Sequence, residues 1–156
     1  MKKLIFTTLF SLFSILNISA QKSDATVSRM YQDYLKIKNA LVADHSDDAS
    51  KAANTFIKSV SMVDYKVVSE GNLETLRKDA SKIADSRSIE AQKASFNNLS
   101  KNMIALTQKF KLADQSVFVQ YCPMAKASWL SAEKNVKNPY YGSSMLTCGS
   151  VKAELK

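Results

Sequence analysis

Between Ala25 and Phe110 the chain holds a single glycine, Gly71, and no proline, while apolar residues return every three or four positions. A stretch of that length without breakers, patterned at 3.6 residues, buries its apolar side chains as amphipathic helices. Val27, Met30, Tyr31, Tyr34, Ile37 and Leu41 make the stripe of a first helix from about Ala25 to Ala43. Ser46 or Asp47 can cap a second, with Ala49, Ala52, Ala53, Phe56, Val60 and Val63 on its apolar face, fading near Asp64. Asn72 is the expected cap of a third, carrying Leu73, Leu76, Ala80 and Ile83. A fourth, from about Arg87 to Phe110, aligns Ile89, Phe96, Leu99, Met103, Leu106 and Phe110. Four such stripes with short links predict an all-α fold: an antiparallel four-helix bundle, followed by an irregular C-terminal tail with a short extended or hairpin-like element.

The first twenty residues have a different logic. Met1-Lys2-Lys3 is a basic start, Leu4 to Ile18 is nearly uninterrupted in its apolar character, and Ile18-Ser19-Ala20 offers small residues for cleavage. That is the pattern of a secretory signal peptide over residues 1–20, and the apolar run is shorter than the roughly 20 residues of a bilayer crossing. The expectation is a periplasmic protein whose mature part, residues 21–156, is one domain with no membrane span. Export would lower the formal charge from +8 to +6 by removing Lys2 and Lys3. A modest excess of scattered lysines reads as a solvated surface and not as a nucleic-acid footprint.

Residues 117–150 concentrate what the helices lack: both prolines, both cysteines, the only tryptophan and two of the three glycines. Val117-Phe118-Val119-Gln120-Tyr121 favours extended backbone. Cys122-Pro123-Met124 and Met145-Leu146-Thr147-Cys148 then place two thiols and two thioethers in two short clusters. If the segment between them folds back, Cys122, Met124, Met145 and Cys148 form a soft donor set of the kind that selects Cu(I), shielded by Tyr121, Trp129, Tyr140 and Tyr141. The alternative is a Cys122–Cys148 disulfide, which stabilises an exported domain by roughly 3 to 4 kcal/mol. The residues leave both readings open. Asn138-Pro139 and Gly142 supply the turn that either would need.

No catalytic set can be assembled. His45, the one histidine, lies in a polar Asp44-His45-Ser46-Asp47-Asp48 link with no nucleophile beside it, and phosphate-binding glycine loops and Cys-x-x-Cys motifs are absent. The expected protein is not an enzyme.

Taken together, Tyr121-Cys122-Pro123-Met124-Ala125, Trp129-Leu130-Ser131, Asn138-Pro139-Tyr140-Tyr141-Gly142 and Met145-Leu146-Thr147-Cys148-Gly149 resemble the domain of unknown function 3347 family of envelope proteins. Leu35, Leu41, Ile83, Ile89, Gln92, Phe96, Leu99 and Ser100 are similar to the family pattern more loosely. Members of that family also occur as extensions of periplasmic adaptors in heavy-metal efflux pumps, so the resemblance implies copper or another heavy metal as ligand and an efflux adaptor or other envelope protein as partner. Many members carry histidines where this chain has Ser95 and Lys82. Without those nitrogen donors the implied site rests on the four sulfurs, with Met103 as a further thioether. The expected function is soft-metal sequestration or delivery to an efflux system; its alternative is a disulfide-stapled interaction module.

Overall fold

The structure, a computed structural model, describes residues 23–156, and the leader assigned to residues 1–20 lies outside them. Four helices come first: α1 (Ala25–Val42), α2 (Ser46–Val60), α3 (Glu70–Asp85) and α4 (Ile89–Leu106). Each stripe read from the sequence faces inward, and Met30, Tyr34, Ile37, Leu41, Phe56, Ile83, Phe96, Leu99 and Met103 are fully buried. Burial of this kind stabilises by about 25 cal/mol per Å² of apolar surface removed from water. Among the described residues no helix is long and apolar enough to cross a membrane.

The caps differ in detail from expectation. Asp24 caps α1, its carboxylate accepting from the Thr26 and Val27 N–H groups at 2.8 and 3.2 Å, and Ser88 accepts from Ala91 N–H at the start of α4. Helix α2 begins at Ser46 with His45 in the cap position, and α3 begins at Glu70 after Ser69, neither cap making a side-chain hydrogen bond. Asn72, the expected cap of α3, therefore lies inside its first turn together with Gly71. There the backbone N–H groups of Asn72 and Leu73 bond to the Ser69 carbonyl.

The expectation of an all-α chain with an irregular tail is corrected by the C-terminal third. There β1 (Val117–Cys122), β2 (Ala127–Ser131) and β3 (Ser150–Leu155) form an antiparallel sheet in the order β2-β1-β3. The pairs Cys122↔Ala127 and Phe118↔Ser131 set the β1–β2 hairpin, whose turn needs Lys126 at φ +49. Strand β3 returns along the other edge of β1, from Tyr121↔Ser150 to Val117↔Leu155, with a register shift beside Val119 and Gln120.

Two helices anchor this sheet. The Tyr34 hydroxyl on α1 meets Ser100 Oγ on α4 at 2.7 Å and accepts the Leu130 N–H of β2 at 3.1 Å. A line of rings, Tyr34, Phe96, Tyr140 and Trp129, continues from bundle to sheet with centroids 5.2, 6.0 and 5.8 Å apart. Val117, Cys122, Trp129 and Leu130 thus belong to the same apolar core as the helices.

Candidate functional site: a two-cysteine corner

Two turns converge at one end of the sheet. Cys122 closes β1 and is fully buried, and Pro123 to Lys126 reverse the chain directly after it. Cys148 lies between a short 3₁₀ helix (Gly142–Met145) and β3, and is only half-buried. Both are free thiols, with their Sγ atoms 2.7 Å apart.

The local sequence accounts for this approach. Gly149, at φ +140, lets β3 start against β1: a Cβ there would stand 2.8 Å from the Tyr121 carbonyl oxygen and 3.1 Å from the Trp129 ring. Asn138, fully buried, holds the returning segment from both ends of its amide. Its Oδ1 accepts from the Tyr140 and Tyr141 N–H groups at 2.8 and 3.2 Å, and its Nδ2 donates to the Cys148 carbonyl at 3.0 Å. Farther off in sequence, the Asp44 carboxylate accepts from the backbone N–H and hydroxyl of Ser143 at 2.9 and 2.8 Å and pairs with Lys93.

The two sulfurs are not equivalent. Burial pushes the Cys122 thiol up, but donors outweigh it: Cys148, the Ala125 N–H at 3.4 Å, the Met124 N–H and the Asn138 side chain together bring Cys122 below the ordinary thiol value. Cys148 is pushed up, first because it donates to Cys122, then by burial, and then because removing its own proton would set two negative sulfurs side by side. In the reduced pair Cys122 is the sulfur that ionises more readily.

Of the four sulfurs expected together, the structure joins Cys122 and Cys148. Met124 and Met145 sit on the same two turns but expose 62% and 38% of their surface. Met103 is buried in the core. Trp129 is fully buried, and Tyr140 packs against Phe96 and Trp129 while its hydroxyl donates to the Ser128 carbonyl. Tyr141 reaches the Cys122 turn, donating to the Met124 carbonyl at 3.3 Å. Tyr121 lies under the Lys152 ammonium at 5.6 Å. Among the described residues no group of three or more His, Cys, Asp or Glu side chains is placed to share a metal. The sequence indicated a turn at Asn138 but not its double anchorage. Nothing local marked Asp44, whose partner is 99 positions away.

A helical bundle closed by a small antiparallel sheet, with a dithiol at the sheet's end, defines the class of protein. A family model described as "Protein of unknown function (DUF3347)" matches residues 30–115, more than half of the chain, and the chain belongs to that family. The match covers the helices and stops before β1, so the cysteine corner lies beyond it. No match was found among curated proteins or among solved structures.

Proposed function

We propose that the chain is a non-enzymatic binding module of the bacterial envelope, exported behind its leader and stapled by a Cys122–Cys148 disulfide, with the cysteine corner as its working surface. The 2.7 Å approach of the two sulfurs is the observation that supports this reading. Sulfurs that share a tetrahedral metal through bonds of about 2.3 Å stand about 3.8 Å apart, whereas a disulfide needs about 2.05 Å. The pair lies nearer the second distance. Around it Met124, Met145 and Leu146 are exposed, three of the five large hydrophobic side chains that are exposed among the described residues. Adaptable methionine-bearing surface of that kind suits the apolar face of a protein partner, and the family resemblance points to a periplasmic efflux adaptor. The mature chain, residues 21–156, isolated from an oxidising compartment without reductant, is expected to lack the mass of two hydrogens and to react with thiol reagents only after reduction. Two reactive thiols in the folded, unreduced chain would overturn the staple.

A second reading is favoured by the exposed thioethers of Met124 and Met145, one on each cysteine turn. Reduced and opened by about 1 Å, the corner would offer Cu(I) two thiolates and two soft neutral donors, which suits sequestration or delivery to an efflux system. Anaerobic competition of the reduced chain against a chromophoric Cu(I) chelator tests it. One tight equivalent, lost in Cys122→Ser/Cys148→Ser, supports the metal reading; no competition removes it.

A further inference from the structure

We infer that the Cys122–Cys148 staple is exchangeable at Cys148: a thiolate on a partner polypeptide opens it by forming a mixed disulfide with Cys148, and Cys122 serves as the leaving and resolving sulfur. The inference rests on the staple proposed above.

Position decides which sulfur is attacked. Cys122 is fully buried at the end of a strand paired on both sides, so an incoming thiolate has no line of approach to it. Cys148 is half-buried in a connection outside the sheet, two and three residues from Leu146 and Met145, which are 40% and 38% exposed. A polypeptide carrying a thiol beside apolar residues can lie on these side chains and on Met124. A small hydrophilic thiol gains nothing from them.

The surroundings of Cys122 suit departure. Its sulfur is met by the Ala125 N–H at 3.4 Å, with the Met124 N–H and the Asn138 side chain as further donors, and all three remain to receive the departing charge while Cys148 is held in the mixed disulfide. Thiolates so stabilised leave faster in exchange. The step balances without an added oxidant. The partner thiolate attacks Cys148 Sγ, a new S–S bond forms there, the Cys122–Cys148 bond breaks, and its electron pair leaves on Cys122. In reverse, the Cys122 thiolate, held within bonding reach of Cys148, attacks the mixed disulfide and expels the partner thiolate. If the partner has a second thiol, that thiolate attacks the partner's own sulfur in the mixed disulfide and releases Cys148, so the staple is reduced by two electrons and the partner is oxidised by two.

The test equilibrates the stapled mature chain with mixtures of a reduced and oxidised apolar-flanked cysteine peptide, and separately with glutathione. Samples are quenched in acid and the adducts mapped by mass. Mixed disulfide confined to Cys148, with the apolar peptide exchanging roughly tenfold or more faster than glutathione, is the expected result. In folded single-cysteine chains, Cys122→Ser should take up the peptide disulfide through Cys148, and Cys148→Ser should stay inert until unfolded. Adducts on Cys122, equal rates for the two thiols, or a staple that persists through the whole range of mixtures would each overturn the inference while leaving the staple standing. Absence of the staple from the starting protein would instead remove the reading beneath it. Because the wild-type chain is mapped directly, the outcome does not depend on either variant folding.

Discussion

Asp44 shows how much one side chain far from the corner controls it. It closes the turn after α1 at φ +59, and its carboxylate receives Lys93 from α4 and both donors of Ser143. Gly142, next to Ser143, sits at φ +55, where an added Cβ would fall 2.1 Å from that carboxylate. Gly142→Ala therefore incurs about 1 to 2 kcal/mol for a left-handed alanine and also displaces the carboxylate. Thermal unfolding should show a lowered midpoint, with a larger drop than Gly71→Ala, where a Cβ meets open space. The Lys93 ammonium, and then the Ser143 N–H, hold the Asp44 carboxyl at about 2 against an ordinary 3.8, burial opposing them. A carboxyl depressed by folding stabilises above its unfolded value, and that contribution is lost as pH falls through the folded value. Wild-type stability should decline between pH 4 and 2, and Asp44→Asn should be less stable at pH 7 and flatter across that interval in acid-unfolding titrations. Equal slopes for the two proteins would remove Asp44 from the acid response.

At the scale of elements, two buried glutamines hold segments that have no regular pairing. The Gln120 amide on β1 donates toward the carbonyls of Glu133, Lys134 and Asn135 at 2.9, 3.2 and 3.3 Å, fixing the loop after β2. Gln92 on α4 does the same for Ser46, Ile83 and Ser86, gathering the start of α2 and the end of α3. Gln120→Leu keeps most of the volume but takes the shared donor from three carbonyls of exposed loop residues, so water replaces the amide and the loop loses its tie to β1. Hydrogen exchange should then speed up selectively over residues 132–137, with the α1–α3 amides little changed; unaltered exchange there would show that the loop does not need the amide. The helices were legible in the sequence because each stripe is a local signal with one period. The sheet was not. Strand β1 is β-branched and aromatic, but Ala127–Ser131 is short, and Ser150–Leu155 contains Lys152 and Glu154 and finds its partner some thirty residues back. Val151, Ala153 and Leu155 do alternate with Lys152 and Glu154, so β3 carries a short period-two trace, but nothing in either segment alone names the other as its partner. The convergence of the two cysteine clusters could be read from Asn138-Pro139 and Gly142, whereas their ties to Asp44 and to the Tyr34 hydroxyl depend on distant packing.

For the whole molecule the question is whether bundle and sheet unfold together. Tyr34 is a polar tie between them: its hydroxyl, kept protonated by burial, joins α1, α4 and the backbone of β2 in the core. Tyr34→Phe strands the Leu130 N–H at a cost of about 1 to 3 kcal/mol, yet the ring contacts with Phe96 remain, so one cooperative transition at lower temperature is expected. The staple acts on the other reference state. A disulfide closing the 26-residue separation of Cys122 and Cys148 restricts the unfolded chain by about 3.5 kcal/mol in the chain-entropy treatment, almost without touching folded contacts. At this chain length each kcal/mol moves the midpoint by a few degrees, so reduction should lower it by roughly 10 °C. Calorimetry of the oxidised chain, the reduced chain and Cys122→Ser/Cys148→Ser decides between two pictures. If the reduced chain and the double variant both unfold in one transition near the same lower midpoint, the cysteines stabilise through the cross-link and the sheet is held by the aromatic line and Tyr34. A separate low-temperature transition on reduction would mean that the sheet detaches from the bundle, and that the staple, not the shared core, keeps the cysteine corner in place.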